Sequence, residues 1–212
     1  MNNAKRIFDT EIARIRSFGQ LINHLKTNGL HDNETYENIN RMKIVFAVSA
    51  FDKFMHDIIK VGIIEMFLGN RNHTNKYSNE LIPISVLTKI YNQELIPAAM
   101  EFETSIYAKL KTISYQDPKK LADGLSFIWD EKQKWQKFAS ELGYPNDEQA
   151  RSRLKLIITR RNAIVHESDL EPTTNEKQNL DDISADDSVD FLENLANVIF
   201  NNCFLSAHKS KP

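Results

Sequence analysis

The sequence predicts an all-α fold, an up-and-down helical bundle with additional helices, and three observations carry that expectation. Apolar residues recur at three- and four-residue steps along most of the chain, the period of an α-helix with one buried face. Six glycines and six prolines occur in 212 residues, and they fall mostly between the periodic segments, where helix breakers belong. Hydrophobic residues make up 41% of the chain, enough for a packed core and too many for global disorder.

Taken in order, a first helix is expected over about residues 4–26, with Ile7, Ile15, Phe18, Ile22 and Leu25 on its buried stripe and Gly29 ending it. Asp32 or Asn33 can cap a long second helix over about residues 34–67, whose inner face reads Ile44, Val48, Phe51, Met55, Ile58 and Gly62. Residues 69–76 form a polar loop, and a short helix follows Pro83 over residues 85–91. Residues 95–115 read as helical, with Pro97 in the first turn. Asp117-Pro118 opens a further helix that is expected to run to about Leu142 and to stop at Gly143-Tyr144-Pro145. Asn146 caps a helix over about residues 147–168, ahead of Pro172. Residues 171–184 are polar and acidic and are expected to form a mobile loop. Ser184 or Asp186 then caps a closing helix with Phe191, Leu195, Val198, Ile199 and Phe204 apolar. With no internal repeat and no linker, residues 1–212 read as a single helical domain.

Bulk composition narrows the function. Lys+Arg 27 against Asp+Glu 29 leaves a formal charge of −2, so any nucleic-acid contact must be local. The single cysteine, Cys203, excludes an intramolecular disulfide framework and cannot make a zinc cluster alone. Residues 1–8 lack the apolar run of a signal peptide. The greasiest stretch, residues 58–68, is interrupted by Lys60 and Glu65 and is too short to cross a bilayer. A soluble cytoplasmic protein without membrane contact is expected.

One helix looks like chemistry. Leu154, Ile157, Ile158, Arg161, Ile164 and Val165 form an apolar stripe with Arg161 in its middle. A guanidinium cannot shed its charge, so an inward position needs a partner or a polar cleft. Asn162 and His166 share a neighbouring face at about 100° per residue. The competing reading is a structural arginine paired with an acid and a histidine favoured by a helix C-terminus.

The run Arg161-Asn162-Ala163-Ile164-Val165-His166 resembles the Arg-x(4–6)-His motif of HEPN domains, in which a polar residue commonly follows the arginine. The layout is similar too: a long early helix containing Val48-Ser49-Ala50-Phe51-Asp52-Lys53-Phe54, a late motif helix, a polar loop and one closing helix. The nearest likeness is to the RiboL-PSP and related HEPN groups of bacterial defence and toxin systems. The resemblance implies a small all-α bundle that dimerises, with two motif helices forming one composite RNA-cleaving cleft that uses no metal or other cofactor. The residue chemistry suits that reaction. Cleavage by the RNA's own 2′-OH needs a proton carrier, and histidine, with a reference pKa of ~6.5, serves. It also needs a cation for the charge that develops on phosphorus, and arginine's forked donors serve. One histidine per chain is half an acid–base pair, and a dimer supplies two.

Arg161, Asn162 and His166 are therefore the expected catalytic set, with Asn162 holding phosphate or the histidine. Arg160 also precedes His166 within the permitted spacing. Asn162 follows Arg161, and Arg161 has the anomalous phase, so Arg160 is read as a backbone-phosphate contact or a solvated charge. Asp52, at the margin of the second helix, is the candidate partner of Arg161, with a solvated edge aspartate as the equal alternative. Arg151, Arg153 and Lys155 precede the motif on its own helix and either lead RNA to the cleft or form a solvated face. His56 reads as a helix-margin histidine, and the remaining histidines show no metal-ligand spacing with each other or with Cys203. Asp181-Asp182 and Asp186-Asp187 suit a helix start better than a cation site. Trp129, Trp135, Phe127 and Phe138 are expected to pack the bundle. The resulting expectation is a homodimeric, metal-independent endoribonuclease acting as a toxin or antiphage effector, with an antitoxin or sensor protein as a further partner. The alternative is a catalytically silent module used for dimerisation, nucleotide binding or regulation.

Overall fold

Apolar side chains on almost every side of one long segment decide the architecture. The structure is a computed structural model that describes residues 1–30, 32–92 and 97–207. The described residues form α1 (Asn2–Thr27), α2 (Asn33–Phe67), α3 (Asn75–Ser78), α4 (Ile84–Tyr91), α5 (Ala98–Leu110), α6 (Pro118–Leu125), α7 (Lys134–Glu141), α8 (Asp147–His166) and α9 (Asp182–Ala207). Among them there is no strand, only an isolated antiparallel bridge between Leu170 and Lys177. No described helix is long and apolar enough to cross a membrane. The fold is all-α.

Helix α2 is the axle. Ile44, Val48, Phe51, Met55, Ile58 and Gly62 face inward as their spacing predicts, and Ala47, Phe54, Ile59, Ile63 and Met66 are buried as well. Such all-round burial requires neighbours on several sides, and α1, α9, α8, α5 and α6 all pack on α2. The Asp32 carboxylate caps it by accepting the Thr35 N–H at 3.0 Å, which settles the choice between Asp32 and Asn33. Gly62 is required by close approach, because a Cβ there would sit 2.5 Å from Ile128 Cγ2.

The structure departs from the sequence reading in the stripe of α1 and in the break between α6 and α7. The buried stripe of α1 is Ala4, Phe8, Ile12, Ile15 and Ile22, while Ile7, Phe18 and Leu25 are half-buried on its flank. The expected start of the 95–115 helix at Leu95 lies outside the described residues, and α5 begins after Pro97. The helix expected from Asp117 to Leu142 is broken into α6 and α7. Phe127, Ile128 and Trp129 are consecutive and all buried; on one helix they would spread over about 200°, more than a single core-facing side. The turn instead gives its carbonyls to outside donors: Thr74 Oγ1 reaches Phe127 O at 2.9 Å and Arg71 Nη2 reaches Ile128 O at 2.9 Å. Trp129, Trp135, Phe127 and Phe138 are all buried in the bundle.

One aspartate of each acidic pair, Asp181 and Asp186, has a structural role. Asp181 accepts the Ser184 N–H at 2.7 Å, so α9 starts earlier than Ser184 or Asp186 would place it. Asp186 pairs with the buried Lys43 of α2.

Cys203 is fully buried in α9, and burial pushes its thiol up from 9.0 to about 12, against the opposing pull of Arg71 and Lys134. Tyr115 is likewise pushed up from 10.0 to about 12, by burial and then by Asp123 and Asp52. Both groups hold their protons more tightly folded than unfolded. Stability should therefore be intact below about pH 9 and should fall as pH climbs from there toward 12. Urea denaturation across pH 8–11 checks the trend. Ellman's reagent at pH 8 should label Cys203 only once the chain is unfolded.

Candidate functional site

Asn146 opens α8 by accepting the Gln149 N–H at 2.9 Å, and Asp147 and Glu148 follow in the first turn. The first half of the helix packs firmly, with Ala150, Leu154 and Ile157 buried. Its second half emerges from the bundle: Ile158, Arg161 and Ile164 are half-buried, and Val165 is 46% exposed. Arg161 keeps the phase of the core stripe but lies at the edge of the core. Its Nη1 donates to Asn162 Oδ1 at 3.0 Å, while its buried Nε has no hydrogen-bond partner. Among the described residues no carboxylate pairs with Arg161. His166 is the last residue of α8, with an exposed side chain that makes no hydrogen bond among the described residues.

Asp52 is not the partner of Arg161. Its Oδ1 accepts the Tyr115 N–H at 2.8 Å and its Oδ2 accepts from Gln116 Nε2 at 3.2 Å. The carboxylate ties the chain between α5 and α6 to α2. His56, one turn on, lies edge-on to the Tyr115 ring at 4.8 Å.

Arg160 is neither a solvated charge nor free for a phosphate. Its Nη2 donates to Asp169 Oδ2 at 2.9 Å and to the carbonyls of Gln178 and Asn179 at 3.1 and 3.2 Å, and its Nη1 bonds Gln178 Oε1. Asp169 is fully buried and also accepts from Arg41 Nε of α2 at 2.6 Å. Arg41 reaches Gln178 O at 2.7 Å and Glu37 at 3.1 Å. Of two consecutive arginines, one is held in a partly buried charge cluster on a fully buried aspartate, and the other lies half-buried at the edge of the core. The segment after α8, read from sequence as a mobile loop, is tied down at its ends. Gln178 N–H bonds Asp169 O at 2.9 Å, Glu171 N–H bonds Glu176 O at 2.8 Å, and the Leu170–Lys177 bridge closes the turn.

Sequence reasoning missed Arg41, Asp169 and Gln178. Arg41 carried a signal, because it stands at helical spacing from Ile44, Val48 and Phe51, the same anomaly as Arg161. Asp169 and Gln178 carried none, since only the backbone turn beyond α8 brings them under the helix.

The three cations upstream of the motif separate. Arg151 and Lys155 line a groove of about 630 Å³ between α6 and α8, together with Lys119, Ser152 and Trp135, and with Asp117 and Glu148 as its acids. Arg153 lies two turns before Arg160 on the same flank and does not line this groove. Arg151 also pairs with Asp147 at 2.6 Å. Among the described residues no three His, Cys, Asp or Glu side chains are grouped to hold a metal ion.

Because Asp52 satisfies a partly buried backbone N–H, Asp52→Ala should cost about 1–3 kcal/mol of stability. A chemical-denaturation midpoint measures it, and an unchanged midpoint would show that Tyr115 N–H finds another acceptor.

Comparison with known proteins adds one positive finding. The family model described as RiboL-PSP-HEPN matches residues 9–203, nearly the whole chain. No curated protein and no solved structure matches it. A match over most of the helical bundle, motif helix included, places this chain in the RiboL-PSP-HEPN family.

Proposed function

We propose that the chain is a metal-independent endoribonuclease that works as a homodimer, with Arg161, Asn162 and His166 of two copies forming one cleft. HEPN membership supports a nuclease, RNA-related or regulatory role. The observation that carries the sharper reading is the unequal fate of the two arginines. Asp169 holds Arg160, while Arg161 keeps its Nε without a hydrogen-bond partner beside Asn162, five residues before a His166 that makes no hydrogen bond among the described residues.

In this reading His166 takes the proton from the RNA 2′-OH as that oxygen attacks phosphorus. The P–O5′ bond breaks, and the second copy's histidine protonates the leaving 5′ oxygen. Arg161 neutralises the charge building on the phosphoryl oxygens, and Asn162 holds its guanidinium in place. The products are a 2′,3′-cyclic phosphate and a 5′-hydroxyl. The dimer is supported by the emerging stripe of α8: Ile158, Ile164 and Val165 leave apolar surface beside the polar site, which suits a self-complementary contact. Lys119, Arg151 and Lys155 would meet RNA phosphates away from the cleavage point. At 1.5 Å rise per residue, Lys155 and Arg151 lie roughly 16–22 Å from His166 along α8. The biological role in this proposal is that of a cytoplasmic toxin or antiphage effector restrained or triggered by an antitoxin or sensor protein.

The deciding experiment is RNA cleavage by the wild type beside His166→Ala. Cleavage should depend on His166, survive excess EDTA and leave 2′,3′-cyclic ends. Activity lost on chelation and restored by Mg²⁺ would overturn the mechanism, and an inactive wild type would favour the silent module. Arg161→Ala should lose ~10²–10³ in rate, and Arg161→Lys should fail similarly, because an ammonium lacks the planar fork. Arg160→Ala should fall less far. If Arg160→Ala abolishes cleavage while folded Arg161→Ala retains it, the assignment moves by one residue. Sedimentation at micromolar concentration should show a dimer, and a monomer there would argue against a composite cleft.

A further inference from the structure

We infer that Asp169 is a positioning residue for the proposed reaction, fixing the rotation and the end of α8 so that Arg161 and His166 are presented together. The inference rests on the ribonuclease reading above.

Two features of Asp169 lead there. The first is its backbone. Ser168 and Asp169 take left-handed φ values of 54° and 60°, which turn the chain back under α8 directly after His166. The Asp169 N–H then bonds Ala163 O at 2.9 Å, an acceptor it shares with the Glu167 N–H at 3.0 Å. The last turn of α8, which carries His166, is therefore closed by Asp169 itself.

The second is its side chain. The carboxylate is fully buried, and its Oδ2 receives both Arg41 Nε from α2 and Arg160 Nη2 from α8. With Glu37 on Arg41, two cations face two anions, and the cluster is neutral only while Asp169 is charged. Arg160 and Arg161 are consecutive, so their directions differ by about 100° on the helix. Holding Arg160 on Asp169 therefore sets the direction of Arg161. Reactive constellations tolerate errors of only about 10–20°, so a small rotation of α8 would disrupt the site without unfolding the bundle. The cluster links α2, α8 and the 169–178 turn through charge.

Asn tolerates a left-handed backbone, so Asp169→Asn removes the charge and leaves the turn. The test compares wild type, Asp169→Asn, Arg160→Gln and the double variant, each at a temperature where circular dichroism shows it folded. For Asp169→Asn and Arg160→Gln we expect kcat to fall about tenfold to ~10²-fold. KM and the binding of a 2′-O-methyl RNA that cannot be cleaved should be unchanged. The double variant should be no worse than either single one, because both act through one contact. A stability role alone would lower the melting temperature and leave kcat of the folded protein intact, and that result overturns the inference. So do losses that multiply in the double variant, or a loss that appears in KM alone. If Asp169→Asn does not fold, Gln178→Ala loosens Arg160 from its other side and should lower kcat with KM unchanged; a full kcat there overturns the inference too. His166→Ala, run in parallel, separates the failures. An active, His166-dependent wild type with full-rate Asp169→Asn rejects only the positioning role, whereas a wild type with no His166-dependent cleavage rejects the ribonuclease reading and this inference with it.

Discussion

One buried carboxylate, that of Asp169, organises the C-terminal end of α8 and its contact with α2. Two guanidinium groups brought into a protein interior repel each other and lose their water, and neither can neutralise itself. Arg41 and Arg160 are tolerable there because Asp169 stands between them and Glu37 flanks the pair. Meeting that demand fixes several things at once. The chain must turn through left-handed residues immediately after α8, the turn over residues 169–178 must close on itself, and α8 must lie in one orientation on α2. Removing one partner of such a cluster is more damaging than never having built it, because it strands a charge in low dielectric.

The rest of the scaffold supports that arrangement from the far side. Helix α2 is buried on nearly all its faces and carries Arg41 toward α8 while its neighbours enclose the remaining apolar surface. Further along, Asp52 fastens the α5–α6 connection to the same helix. At its C-terminal end, buried Arg71 holds the carbonyls of Ile128 and Cys203, joining the loop after α2 to the α6–α7 turn and to α9. Polar side chains at two levels of the axle and in the loop that follows it thus give the bundle its specific packing, while its apolar contacts give it most of its stability.

Helix α8 differs in character from the other long helices. It begins in the core and ends at the surface, so its apolar stripe becomes progressively uncovered toward Val165. There the apolar surface lies beside Arg161, which has no carboxylate partner among the described residues, and beside the exposed imidazole of His166. With a formal charge of −2, the chain carries no overall basic excess. Even the groove containing Lys119, Arg151 and Lys155 has Asp117 and Glu148 in its walls.

The sequence by itself determined the all-α class, the inward face of α2, the Asn146 cap of α8 and the singular phase of Arg161. Each of these is local: a period of about 3.6 residues, a cap within three residues of the N–H it serves, a charge out of register in an apolar stripe. The break between α6 and α7 was not legible. Its cause is the burial of Phe127, Ile128 and Trp129 together, with their turn held by Thr74 and Arg71 from another part of the chain. The roles of the charges were decided by tertiary structure alone. Nothing in the sequence told Arg160 from Arg161 by partner, because Asp169 reaches Arg160 only after a left-handed reversal, and Arg41 arrives from more than a hundred residues away. Asp52 lay on a plausible face but was claimed by Tyr115 and Gln116, whose position depends on how α5 and α6 pack. A helical pattern says which way a side chain points from its own axis. Which charge it meets there depends on the neighbouring helices, and that is settled only when the whole bundle closes around α2.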